Sequence, residues 1–289
     1  MDGIIVIDKQ KGCTSHDVVK TVKKITNTQK VGHTGTLDPN ATGVLPILLG
    51  KATKLSKYLM NHDKTYQVVL TLGEKRDTAD IEGVVIDKQE VNEEILKKEN
   101  IEKILNSFLG EQMQTPPIYS AIKVKGKKLY EYARAGKEIT IEPRKITIYA
   151  IQFLSQNQKE IQFRVSCSKG TYIRSLCEEI AAKLQTVGYM KELRREQVGE
   201  FTLESAVKIE ELEEHENDED FLRQHVISIE QFYQEKEKII LSSKEITYFL
   251  NGVQLKMDKK EEIYRIYDQS NHFIGLGTVT EHRLKRDIV

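Results

Sequence analysis

Gly32-His33-Thr34-Gly35-Thr36-Leu37-Asp38-Pro39-Asn40-Ala41-Thr42-Gly43-Val44-Leu45-Pro46 brings together three glycines, two prolines and a single carboxylate. The glycines supply positive φ or a surface without Cβ, and Pro39 pushes Asp38 out of the α region, so composition itself bends this backbone. An isolated Asp-Pro is a common turn dipeptide. The longer run says more, because it sets Asp38 alone on a loop that a large partner can approach closely.

Regular elements flank the loop. Ile4 to Ile7 is a short apolar strand, and Thr14 or Ser15 caps a helix on which Val18, Val19, Val22 and Ile25 recur at helical spacing. Val44 to Leu49 reads as a buried strand ending at Gly50, with a helix to about Met60, and Tyr66, Val68, Leu70 and Leu72 alternate as a strand. Ile101, Ile104, Leu105, Phe108 and Leu109 form one face of a helix with Gly110 as its carboxyl-terminal cap. Strands return at 145–153 and 160–167, and Gly170 opens a helix carrying Ile173, Leu176, Cys177, Ile180 and Leu184, with Arg174 in its first turns. Strands broken irregularly by helices, without a β-α-β repeat, predict an α+β sheet domain and not a doubly wound fold. Beyond residue 236 the pattern turns to short strands, 239–241, 263–267 and 273–279, with a turn at Phe249-Leu250-Asn251-Gly252.

With 289 residues, 39% of them hydrophobic, the chain has material for one large and one small core. Its apolar runs are a few residues long, against the roughly 20 that span a bilayer. The amino terminus carries no secretory pattern, so a cytoplasmic protein without membrane contact is expected. Cys13, Cys167 and Cys177 form no Cys-x-x-Cys pair, which points to neither disulfides nor zinc.

Zero net charge hides an asymmetry. Residues 1–200 carry 32 Lys+Arg against 25 Asp+Glu, a balance of +7, and residues 201–289 carry 12 against 19, a balance of −7. Lys123, Lys125, Lys127 and Lys128 stand beside Tyr119, Tyr130 and Tyr132, mixing cations for phosphates with rings that stack on bases. Between Glu204 and Asp220 there are nine acidic residues and one base, Lys208, a solvated edge to which no chemistry is assigned.

The loop closely resembles the catalytic motif of the TruB family, bacterial tRNA pseudouridine synthases that act on the T loop. Four more blocks follow the family's order. Asp8-Lys9-Gln10-Lys11-Gly12-Cys13-Thr14-Ser15 is similar to its amino-terminal motif, with Gln10 where proline is usual. Lys64-Thr65-Tyr66, Leu70-Thr71-Leu72-Gly73 and Asp77-Thr78-Ala79-Asp80 resemble the next, with Arg76 where threonine is more familiar. Pro117 to Ala121 with Gly126 to Arg134 is similar to the RNA-gripping insertion, about 116–142. Ser168-Lys169-Gly170-Thr171-Tyr172-Ile173-Arg174 matches the block whose arginine pairs with the catalytic aspartate.

The resemblance implies a pseudouridine synthase catalytic domain at 1–230 with a mixed, largely antiparallel sheet and flanking helices. A small β-barrel-like PUA domain follows at 236–289, and its −7 neighbourhood departs from a strongly basic RNA binder. It further implies Asp38 as the catalytic residue, Arg174 as the cation that keeps it charged, and Tyr66 as the ring stacking on the flipped uracil and a route for protons. His33, Gly35, Lys9, Tyr172, Leu193, Lys127 and Lys128 are the substrate-binding candidates. The implied reaction cleaves the N-glycosidic bond of a uridine and rejoins the uracil through carbon, which needs no cofactor and no metal. The expected partner is the T arm of tRNA and not DNA, and a monomer is expected.

Other classes fail at definite points. A phosphate-binding P-loop requires glycine where Leu45 stands before Gly50-Lys51, and Ala52 follows instead of Ser or Thr. None of the seven histidines forms His-Glu-x-x-His. The alternatives are a non-enzymatic RNA-binding or RNA-folding protein on the same fold and the guide-dependent dyskerin branch, whose chains are longer with basic tails.

Overall fold

The computed structural model describes every residue of the chain except Glu138 and Asn217, so those members of the expected insertion and acidic segment lie outside the described residues. A mixed sheet runs in the order Val207–Lys208, Gly3–Lys9, Thr42–Leu49, Gly188–Val198, Lys64–Leu72, Glu160–Cys167, Arg144–Asn157 and Gly110–Gln114. Two of these junctions are parallel, Gly3–Lys9 with Val207–Lys208 and Gly188–Val198 with Thr42–Leu49. The others are antiparallel, as expected for an α+β domain.

The run Val44 to Leu49 is apolar without alternation because both of its faces are covered. Ile5, Ile7, Leu45 and Ile47 join a core on one side with Val18, Val22, Leu176 and Ile180 of the helices Ser15–Ile25 and Ile173–Lys183. Ile4, Val6, Val44 and Leu48 turn to the other side, where Ile229, Tyr233, Leu276 and Ile288 bury them. Thr14 caps the first helix through a capping box with Asp17.

The carboxyl-terminal unit is a five-stranded sheet in the order Lys238–Ile240, Ile263–Tyr267, Phe273–Thr280, Arg283–Ile288 and Leu255–Lys256. Its two outer strands are not paired with each other among the described residues, so it is a half-barrel, open along one side. Asp287 ties it to the main domain by accepting from Lys57 Nζ at 2.6 Å and from the Tyr58 hydroxyl.

Two elements differ from expectation. The helix Lys98–Asn106 ends before Gly110, whose φ of 94° opens the edge strand Gly110–Gln114 instead of capping the helix. Phe249 to Gly252 is the end of a helix, Ser243–Leu250, whose capping box of Ser242 and Glu245 starts it. Arg76 now has a place: Nη1 donates to the carbonyls of Ile81 (2.9 Å) and Gly83 (3.1 Å), and the guanidinium lies 4.3 Å from the Tyr189 ring.

Candidate active site

The main chain around Asp38 is held from behind. Lys9 is fully buried, and its Nζ donates to the carbonyls of Gln10 (3.0 Å), Pro39 (3.0 Å) and Ala41 (2.6 Å). Burial lowers its pKa, while the three carbonyls replace the water that an ammonium loses. Ser15 Oγ donates to the Leu37 carbonyl at 3.1 Å and accepts from Leu37 N at 2.8 Å. At Gly43, with φ +102°, a Cβ would lie 2.2 Å from the Arg195 carbonyl, so only glycine lets the loop run back against the strand Gly188–Val198.

Arg174, the second residue of the helix Ile173–Lys183, draws three segments to one point. Its Nε lies 3.2 Å from Asp38 Oδ2, its Nη1 3.5 Å from Asp80 Oδ2 and 3.2 Å from the Thr78 carbonyl, and its Nη2 2.9 Å from the Tyr119 carbonyl. A planar fork with five donors reaches all of these at once, which lysine could not do. Asp80 in turn accepts from Thr78 Oγ1 at 2.6 Å and from Glu82 N at 3.1 Å, so it is itself oriented.

The opposite wall is built on Tyr66, which is register partner to Val165 on one side and Arg195 on the other. Burial pushes the Tyr66 hydroxyl up to about 12, partly opposed by the Arg195 guanidinium. Arg195 is 1% exposed, and burial lowers its pKa. Its Nε donates to the Val44 carbonyl at 2.7 Å and its Nη2 to the Gly35 carbonyl at 3.1 Å, so it holds both ends of the loop. Nearby, Lys64 is lowered to about 8 by burial, with Arg195 adding to the effect.

Between these walls lies a cavity of about 530 Å³, lined by Asp38, Tyr66, Tyr119, Arg174, Leu193 and Arg195 among others. Thr34 Oγ1 and Ser120 Oγ on its lining are buried without a hydrogen-bond partner among the described residues.

Three family models match consecutive parts of this chain. The TruB family pseudouridylate synthase N-terminal domain covers residues 23–173, the tRNA pseudouridylate synthase B C-terminal domain 174–234, and the pseudouridine synthase II TruB C-terminal domain 238–285. The chain belongs to the TruB family of pseudouridylate synthases. It is 45% identical over 293 residues to the tRNA pseudouridine synthase B of Clostridium perfringens strain ATCC 13124, covering 99% of this chain and 97% of that one. The Bacillus cytotoxicus protein of the same name is 41% identical over 294 residues, covering 99% and 94%. Among solved structures, a chain of a Cbf5-Nop10-Gar1 complex superposes with a TM-score of 0.70 at 25% identity, covering 99% of this chain and 83% of that one.

As a member of the TruB family the chain is an isomerase, and the catalytic domain with its PUA-like half-barrel is the family's architecture. In this TruB-family chain Asp38, Tyr66, Arg174, Gly35, Tyr172 and Leu193 line one cavity. Lys9 lies behind the loop with all three donors on carbonyls, so it supports the loop where a substrate contact was expected. His33 is half-buried, and its Nδ1 accepts from Gly35 N at 3.2 Å. Burial lowers its pKa, with Arg195 and His16 adding to it, which suits this neutral acceptor role. Lys127 and Lys128 lie on a hairpin, Lys123–Val124 with Lys127–Lys128, beside the cavity and not in it. Lys128 Nζ is 3.3 Å from the hydroxyl of Tyr130, which does line the cavity.

Asp80, Arg195 and Lys64 were not singled out by sequence reasoning. Asp80 had a signal, since it closes the Asp77-Thr78-Ala79-Asp80 block. Arg195 had none, because a charged residue in a strand is exposed by default. Among the described residues, no three His, Cys, Asp or Glu side chains are placed to hold a metal ion, and no helix is long and apolar enough to cross a membrane.

Proposed function

We propose that this chain converts a uridine in the T loop of tRNA to pseudouridine, with Asp38 as the catalytic carboxylate. The observation that carries the reading is the pairing of Asp38 with a buried arginine, Nε to Oδ2 at 3.2 Å, on the wall of a cavity. The names of the Clostridium and Bacillus relatives supply the tRNA substrate.

The uridine leaves its stack and enters the cavity, where Tyr66 and Leu193 offer an aromatic and an aliphatic surface for the base. The N1–C1′ bond breaks, the detached uracil turns, and a C5–C1′ bond forms. The proton on C5 is lost and N1 gains one, so the step is an isomerisation without redox change. Asp38 is the charged group at the reacting centre and Arg174 fixes its direction. With its hydroxyl up at about 12, Tyr66 is neutral at working pH and able to pass a proton on without holding a charge. Unpartnered hydroxyls on Thr34 and Ser120 are available to the edge of a bound base. The mouth hairpin, with Lys123, Lys127 and Lys128, meets the phosphates.

Incubating the protein with an unmodified tRNA transcript and mapping pseudouridine by chemical modification and primer extension tests the reading. One modified position in the T loop is expected. Modification elsewhere, or none, overturns it.

A further inference from the structure

Lys64 lines a second cavity as well as the first. This neighbour, of about 420 Å³, is lined by Asn61, His62, Asp63, Lys64, Thr65, Ser166, Gln197 and Gly199. The two buried-side lysines near the catalytic loop differ in one respect. Lys9 spends three donors on three carbonyls, whereas Lys64 Nζ has one hydrogen-bond partner among the described residues, the His62 carbonyl. A half-buried ammonium with two N–H groups to spare is an incomplete anion site. The rest of the lining is rich in neutral polar groups: the Thr65 and Ser166 hydroxyls lie 3.3 Å apart, and the Gln197 amide reaches the Gly199 carbonyl at 2.7 Å. Lys169 stands at the rim, 2.7 Å from Asn61 Oδ1. The one carboxylate lining it, Asp63, is exposed and accepts from the Tyr149 hydroxyl at 3.2 Å.

We propose that this second cavity binds a phosphodiester of the RNA strand next to the nucleotide held beside Asp38, with Lys64 as the shared cation. The inference rests on the proposed RNA substrate. Because Lys64 faces both spaces, the phosphate and the reacting nucleotide are held by one side chain, which fixes the direction in which the strand leaves the catalytic cavity.

The groups facing Lys64 are Arg195 and Cys167 on the adjoining strands, His62 and Asp63 before it, and Lys169. Of these Cys167 is pushed up to about 11 and His62 is lowered, so Lys64, at about 8, is the group that titrates in the mildly alkaline range. A phosphate favours the charged ammonium. RNA affinity therefore falls as pH rises through about 8, where the free protein loses that proton.

The test measures binding of a T-arm stem-loop RNA against salt and pH. Lys64→Met should reduce the slope of log K against log salt by about 0.7 for one lost contact to a single strand. It should also remove the loss of affinity around pH 8. Lys64→Arg should keep the wild-type salt slope and lose only the pH dependence. With the wild-type protein, stem-loops carrying one neutral methylphosphonate linkage at a time should include one position that reproduces the Lys64→Met slope and has no added effect in that variant. An unchanged salt slope in Lys64→Met, or fully additive effects at every linkage, overturns the subsite. Pseudouridine formation by the wild-type protein is scored separately. Its absence sinks the catalytic reading, while its presence with an unaltered Lys64→Met slope sinks only the subsite.

Discussion

Tyr66 and Arg195 are register partners on adjacent antiparallel strands, which sets a buried hydroxyl and a buried guanidinium side by side under the Asp38 loop. The arginine then spends Nε and Nη2 on Val44 and Gly35, so one side chain serves both the aromatic wall and the loop. Arg195→Ala takes a donor from one buried and one half-buried carbonyl and should cost at least about 2 kcal/mol in denaturant unfolding. Arg195→Lys should recover little, because one ammonium cannot span both acceptors. Wild-type stability in Arg195→Lys would show that the fork geometry is dispensable.

Asp38→Asn should abolish turnover and leave RNA affinity within about tenfold, since the amide keeps the shape and loses the charge. Single-turnover rates and equilibrium binding on the same RNA check this, with sequencing of the protein to exclude deamidation back to Asp.

Asp80 never has to touch RNA to matter, because it braces Arg174 from the side away from Asp38. Asp80→Asn should slow single-turnover chemistry by about tenfold or more with binding changed less than about threefold, and combination with Asp38→Asn should add nothing further. Equal losses in binding and chemistry would argue for a direct RNA contact instead.

Lys9 separates a supporting residue from a binding one. Removing its Nζ in Lys9→Met takes the buried donor from the Ala41 carbonyl and leaves the Pro39 carbonyl with Gly12 N alone. The melting temperature and the saturated rate should fall while the RNA dissociation constant stays near wild type. A collapse in affinity with normal melting would return Lys9 to the substrate.

Tyr66→Phe should lower the rate without altering the pH profile below pH 10. The hydroxyl, pushed up to about 12, keeps its proton throughout that range in the wild type and so contributes no alkaline limb there. An alkaline limb that disappears in Tyr66→Phe would mean a much more acidic tyrosine.

Most of the frame was legible where side-chain period and backbone chemistry agree. The strand Glu160–Cys167 falls on the expected residues, and Thr14 with Asp17 builds the anticipated helix start. The helix Ser243–Leu250 was readable too, from Ser242 and Glu245 at capping-box spacing, but the Asn251-Gly252 pair behind it drew attention to the turn alone. Around the cavity, Asp38 and Arg174 carried a signal because glycines, a proline and a fixed block surround them. Arg195 did not: strand neighbours bury it, and long-range register leaves no trace in local spacing. Lys64 opens the Lys64-Thr65-Tyr66 block, but nothing in that block says that it turns toward the cavity. Lys9 was seen but misplaced, since nothing in sequence says whether a lysine after an apolar strand turns outward or inward.

The open half-barrel bears on how the chain is made. Leu276 and Ile288 lie in the layer that covers Ile4, Val6, Val44 and Leu48, so the rear of the catalytic sheet waits for residues synthesised more than two hundred positions later. Leu276→Ala should accordingly cost about 2–5 kcal/mol of the whole protein's stability. During translation the paired strands Gly3–Lys9 and Thr42–Leu49 therefore leave the ribosome before much of the layer that covers one of their apolar sides has been made.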